Sequence, residues 1–120
     1  MIIVLGSVQV LEARFSDALA VSQMHVQRSR LEPGWIEHGV SIDPNEPNRL
    51  VFVERWADMT SLKAHFAVPA SRAFVKAIAS YANAPPSISI YQADEVPIGS
   101  ESVLRPTATT PYRIASPKFD

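Results

Sequence analysis

Residues 32–66 read EPGWIEHGVSIDPNEPNRLVFVERWADMTSLKAHF, and the punctuation inside this stretch decides the fold. Pro33-Gly34 cannot continue a helix and turns the chain. Residues 35–42 then alternate as a strand, with Ile36, His38, Val40 and Ile42 on one face and Trp35, Glu37, Gly39 and Ser41 on the other. Asp43-Pro44-Asn45-Glu46-Pro47-Asn48 is dense in turn formers and predicts a hairpin loop. Residues 49–56 form the next strand. Leu50, Phe52, Glu54 and Trp56 point one way, and Val51, Val53 and Arg55 the other. Asp58 suits the N-cap of a short helix reaching about Val68, which Pro69 breaks.

Upstream, residues 2–11 read as a strand. Ile3 and Leu5 fall on one alternation set and Ile2, Val4, Val8 and Val10 on the other, which predicts burial of both faces. Ser16 or Asp17 caps a helix whose apolar stripe is Ala20, Val21, Met24 and Leu31, with Arg28 as its polar member. Downstream, residues 70–82 repeat Phe74, Ala77, Ile78 and Tyr81 at helical spacing. Pro85-Pro86 ends that helix, and Ile88, Ile90 and Gln92 alternate with Ser89 and Tyr91 in a last strand. The order βαββαβ specifies an α+β, ferredoxin-like domain, a four-stranded antiparallel sheet with helices on one face. The other face is too apolar to face water and predicts a homodimer.

A chain of 120 residues forms one domain, and 47% hydrophobic residues suffice for a small core. Net charge −1 with a pI near 6.3 offers no electrostatic footing for nucleic acid or an anionic membrane. The absence of cysteine excludes disulfides, thiolate nucleophiles and thiolate metal sites. MIIVLGSVQVLEAR has no basic n-region and reads as a strand, not a leader. No apolar run approaches the roughly 20 residues of a spanning helix, so a cytoplasmic protein is expected. Pro97, Pro106, Pro111 and Pro117 mark residues 97–120 as a tail beyond a domain of 1–96. Val103, Leu104, Tyr112, Ile114 and Phe119 are its expected anchors on the partner subunit.

Glu54 carries the chemistry of the sheet face. An acid among Leu50, Phe52 and Trp56 must be partnered, because a buried lone charge is costly. His65 on the next helix is the expected partner. The pair either anchors that helix or lies in a cavity walled by Phe52, Trp56, Leu62 and Phe66. His38, mid-strand, is a second candidate base or a satisfied interface histidine. His25, between Met24 and Val26, suits the surface or a dimer contact. The three histidines lie on different elements without HxxxH or HxxE spacing, so no metal is expected. The four separated glycines build no phosphate loop.

Glu32-Pro33-Gly34 after the first helix, Glu54 and Trp56 ending the third strand, and His65 late in the next helix resemble the antibiotic-biosynthesis monooxygenase family of quinol-monooxygenase-like type. The resemblance spans roughly residues 1–95. It implies a dimeric α+β barrel that oxygenates a small electron-rich aromatic, a quinol or anthrone, without metal, flavin or haem. Of the polar set proposed for studied members, tryptophan with asparagine, tyrosine and arginine, this sequence matches the Trp56 position; it is the cavity reading of the residues themselves that makes His65, Glu54 and His38 the expected catalytic groups and Trp56, Phe52, Leu62 and Phe66 the expected substrate contacts. Haem-degrading relatives share the fold, but their haem-ligating histidine would fall near Val75 and their asparagine near Ser7. A non-enzymatic, stress-related barrel that binds a small molecule is the alternative class.

Overall fold

In the computed structural model, which describes residues 1–98, Gly34 takes a φ of 80°. The Ala57 amide donates to its carbonyl at 2.8 Å, so the turn pins two strands together. Those are β2, Trp35–Asp43, and β3, Glu46–Trp56. Around them the chain forms β1, Ile2–Gln9; α1, Phe15–Ser29; α2, Met59–Ala67; α3, Pro69–Tyr81; and β4, Ser87–Gln92, with a 3-10 turn over Glu12–Arg14. The sheet order is β2-β3-β1-β4, and each neighbouring pair is antiparallel. This is the ferredoxin-like α+β fold expected from the element order. No helix among the described residues is long and apolar enough to cross a membrane.

The register aligns one face across all strands: Val4 opposite Glu54 and Ile90, Gly6 opposite Phe52 and Ile88, His38 opposite Glu54. The helices cover this face. Val8, Val10, Ala18, Leu50, Phe52 and Ile78 form one buried cluster, and Ile2, Val4, Trp56 and Leu62 another. Asp58 caps α2 as expected, its carboxylate accepting from the Ser61 amide at 2.8 Å.

Three sequence expectations need correction. α1 starts one residue before the expected caps and has no side-chain cap; Asp17 instead pairs with Arg14 at 3.0 Å. Its buried residues are Ala18, Ser22, His25, Val26 and Ser29, whereas Met24 is 67% and Leu31 88% exposed. Ser22 and Ser29 donate to the helix carbonyls of Ala18 and Val26, so each serines' face behaves as small and apolar. The hairpin loop is also shorter than expected, because Asp43 already pairs with Glu46. The Asp43 carboxylate accepts from the Asn45 amide and pairs with Arg49, which closes a tight turn. Pro47 is tolerated in β3 because it lies beyond the last β1 pair, Gln9 with Arg49. The far face, which the expected second copy would cover, is open in the single chain. Leu5, Val53 and Tyr91 on the far face are 45%, 39% and 50% exposed. The expected tail, 97–120, lies outside the described residues apart from its first two.

A Cβ at position 34 would collide with the Ser61 side chain as well as strain the positive φ. Gly34→Ala is expected to destabilise by about 2–4 kcal/mol, from backbone strain plus a displaced α2 cap. Urea unfolding checks this, and Ser61→Gly in the same chain should recover part of the loss.

Candidate active site

Glu54 is 7% exposed, and its carboxylate is partnered from its own strand. The Trp56 indole N–H, two residues on and therefore on the same face, donates to Oε1 at 2.9 Å. His38, directly across the β2–β3 ladder, brings Nε2 to 3.4 Å from that oxygen without hydrogen-bond geometry. His65 brings its Nε2 only to 3.8 Å. Its Nδ1 lies 2.8 Å from Oε1 of Glu32 in the Glu32-Pro33-Gly34 turn. A carboxylate only accepts, so Nδ1 carries the proton and Nε2 is turned toward Glu54. The expectation that Glu54 orients His65 is thus corrected: Glu32 does.

His25 is the residue that sequence reasoning placed wrongly. It is 5% exposed and faces the sheet from α1, stacked on Phe74 at 4.0 Å between ring centroids. The Arg28 guanidinium, one turn on, donates to its Nδ1 at 2.6 Å. The signal was the i, i+3, i+4, i+7 set Ser22, His25, Val26 and Ser29, which a purely apolar search passes over. The three imidazoles converge, with ring centroids 5.2 Å apart for His25 and His38, 5.0 Å for His25 and His65, and 5.7 Å for His38 and His65.

These groups form the polar end of a cavity of about 420 Å³ between sheet and helices. Val4, Gly6, Phe52, Phe74, Ile78 and Ile88 supply its apolar walls, and Phe66 also lines it. Trp56 and Leu62 do not. Both are fully buried in the core, where the indole backs His65 at 4.6 Å between centroids. Ser7 and Val75 line the cavity as well.

Desolvation dominates the electrostatics. Burial, then the neighbouring imidazoles and arginines, lowers His25 and His38 from 6.5 to about 3 each, so both rings are neutral near pH 7. Burial pushes the Glu54 carboxyl up, against the Trp56 hydrogen bond and the His65 ring, which pull it down. His38 has no hydrogen bond at either nitrogen among the described residues, which is unusual for a ring 2% exposed.

The family model for antibiotic biosynthesis monooxygenase matches residues 1–77. An uncharacterized protein of Synechocystis is 32% identical over 94 residues, 78% of this chain and 64% of that protein. The chain therefore spans less than two thirds of that relative. Among solved structures, an antibiotic biosynthesis monooxygenase is 21% identical with a TM-score of 0.74, covering 79% of this chain and 100% of that one. A conserved protein of Methanosarcina mazei is 22% identical with a TM-score of 0.74, covering 78% and 92%. At these identities the structural likeness shows the fold alone.

The site makes a pH prediction. With pKa lowered in the folded state, His25 and His38 stay neutral while the unfolded chain takes up protons below about 6.5. Stability is therefore full above that pH and falls as pH drops toward 3, by up to about 1.4 kcal/mol per pH unit for each ring. Glu54 acts with the opposite sign, since a raised folded pKa favours the native state as pH falls below it. Urea unfolding between pH 4.5 and 7.5 should show the net acid loss, and His38→Gln should reduce its slope.

Proposed function

The chain belongs to the antibiotic biosynthesis monooxygenase family, and we propose that it oxygenates a small electron-rich aromatic hydroxyl compound, of quinol or anthrone type, held in the apolar cavity. The observation that carries this reading is the Glu32–His65 pair, whose free Nε2 faces the polar end of that cavity. Glu32 fixes the ring's tautomer and stabilises the imidazolium formed when Nε2 takes a proton. The neutral His38 ring can hold the substrate oxygen, and Phe52, Phe66 and Phe74 can pack the aromatic body. Glu32 is a positioning residue in this scheme, and Glu54 bears on the base from 3.8 Å.

Proton removal gives an electron-rich anion that reduces O₂ by one electron, and the two radicals combine into a peroxide. Loss of water leaves one oxygen atom on substrate carbon and the other in H₂O. The substrate supplies all four electrons, so this step needs no further reductant. A dry cavity protects the intermediates. The small-molecule-binding alternative predicts the same cavity without turnover.

The experiment is O₂ uptake with menadiol and with an anthrone. His65→Ala should lower the rate by about 10²–10⁴-fold, the usual worth of a positioned base, while circular dichroism shows a folded chain. Glu32→Gln should lower kcat more than it raises KM. No uptake by the wild-type protein with any quinol or anthrone would remove the enzyme reading.

We also propose that the far sheet face is closed by a second copy of the chain. The exposed Leu5, Val53 and Tyr91 support this, flanked by the Glu37–Arg55 ion pair at 2.8 Å. Sedimentation should show a dimer at micromolar concentration, and Val53→Lys should shift it toward monomer.

A further inference from the structure

We propose that His25, His38 and His65, together with the Glu54 carboxylate, bind one divalent transition-metal ion at the polar end of the cavity. This goes beyond the oxygenation reading and does not rest on it; a bound ion would occupy the His65 nitrogen that the reading uses as base.

One potential ligand nitrogen from each ring lies within 4.8 Å of the others, and all three residues are buried. Glu54 Oε1 stands between two of them, 3.4 Å from His38 Nε2 and 3.8 Å from His65 Nε2. Two or three imidazoles with one carboxylate suit zinc, cobalt, nickel or ferrous iron. Nitrogens bound at about 2.0–2.1 Å to one tetrahedral ion lie about 3.3 Å apart, so nitrogens up to 4.8 Å apart need to draw together by up to about 1.5 Å.

Two further observations point the same way. His38 is 2% exposed with neither ring nitrogen hydrogen-bonded among the described residues, a cost that coordination would recover. The outer contacts have the form that metal centres use. Glu32 accepts from His65 Nδ1–H and leaves Nε2 as the ligand atom, and the Trp56 indole holds the Glu54 carboxylate. Arg28 opposes the site. It donates to His25 Nδ1, so His25 becomes a ligand when that guanidinium turns wholly to Ser71 Oγ, 3.2 Å away.

The test uses the untagged full chain, stripped by a chelator, freed of it by gel filtration and equilibrated with Zn²⁺ or Co²⁺ alone. Plasma mass spectrometry after a second gel filtration counts bound metal, and Co²⁺ absorption in the visible reports coordination. About one ion per chain is expected, with the cobalt bands of a four- or five-coordinate nitrogen and oxygen site. His38→Ala and His65→Ala should each weaken binding at least tenfold, and Glu32→Gln by about 10–100-fold. Arg28→Met should tighten it. Wild-type protein that retains no metal above buffer overturns the proposal, as does binding equally tight in His38→Ala and His65→Ala. The wild-type count decides even where a variant fails to fold. No aromatic substrate is present, so this result is independent of O₂ uptake. Uptake by the stripped protein tests the oxygenation reading separately.

Discussion

A carboxylate on an apolar strand face sets the terms for the rest of this molecule. Glu54 lies between Phe52 and Trp56 on the helix-covered side of β3, where an unpartnered charge would be prohibitive. The fold answers by spending polar groups around it. Trp56 gives its indole N–H, β2 supplies His38 across the ladder, and α2 supplies His65 from above. Each added group is itself buried and needs a partner. Glu32 is recruited for His65 and Arg28 for His25, while His38 is left with neither nitrogen hydrogen-bonded. Such unevenly satisfied polar clusters are poor devices for stability, since an apolar core of equal volume costs less.

The turn and the site are one construction. Gly34 at positive φ holds β2 beside the end of β3, and the same turn presents Glu32 to His65. The Glu32-Pro33-Gly34 stretch is thus more than a helix stop. Its glycine solves a backbone problem and its acid an electrostatic one, and moving either would disturb the imidazole that faces the cavity.

The architecture was legible because its signals are local. Period-two alternation over 37–42 and 49–56, the Asp58 cap and the proline breaks each report on a few consecutive residues, whereas a register shift between Trp35 and Glu37 sets Trp35 opposite Trp56 in the core instead of on the face of Glu37. The identities of Glu54, His38 and His65 as buried polar groups were also legible, because strand alternation and helix spacing place them inward. Their partners were not. Which carboxylate meets His65 depends on where the chain runs after α1, and Glu32 and Glu54 lie on different elements. His25 was misjudged because α1 turns a serine- and histidine-bearing face to the sheet. Serines that bond back to their own helix pack like alanine, and hydrophobic spacing favoured Met24 and Leu31 instead. That the three histidines meet was hidden from sequence spacing for the same reason, because separate elements converge through the fold and not through the sequence.

The cavity has direction. On the β4 side its walls are Ile88 and Pro86, and toward β2 they become His38 and Glu54, with Gly6 on β1 leaving room between. A wholly apolar guest would leave His38 without a hydrogen-bond partner, and a wholly polar one would desolvate against Phe52, Phe74 and Ile78. An amphipathic guest satisfies both ends: a ring against the phenylalanines and an oxygen against the histidines. A metal ion satisfies only the polar end. It would still leave the apolar chamber open beside it, so the two occupants compete for nitrogen lone pairs but not for volume. That division between a nitrogen-rich end and a dry apolar end is the chemical character that this sheet and its three helices create.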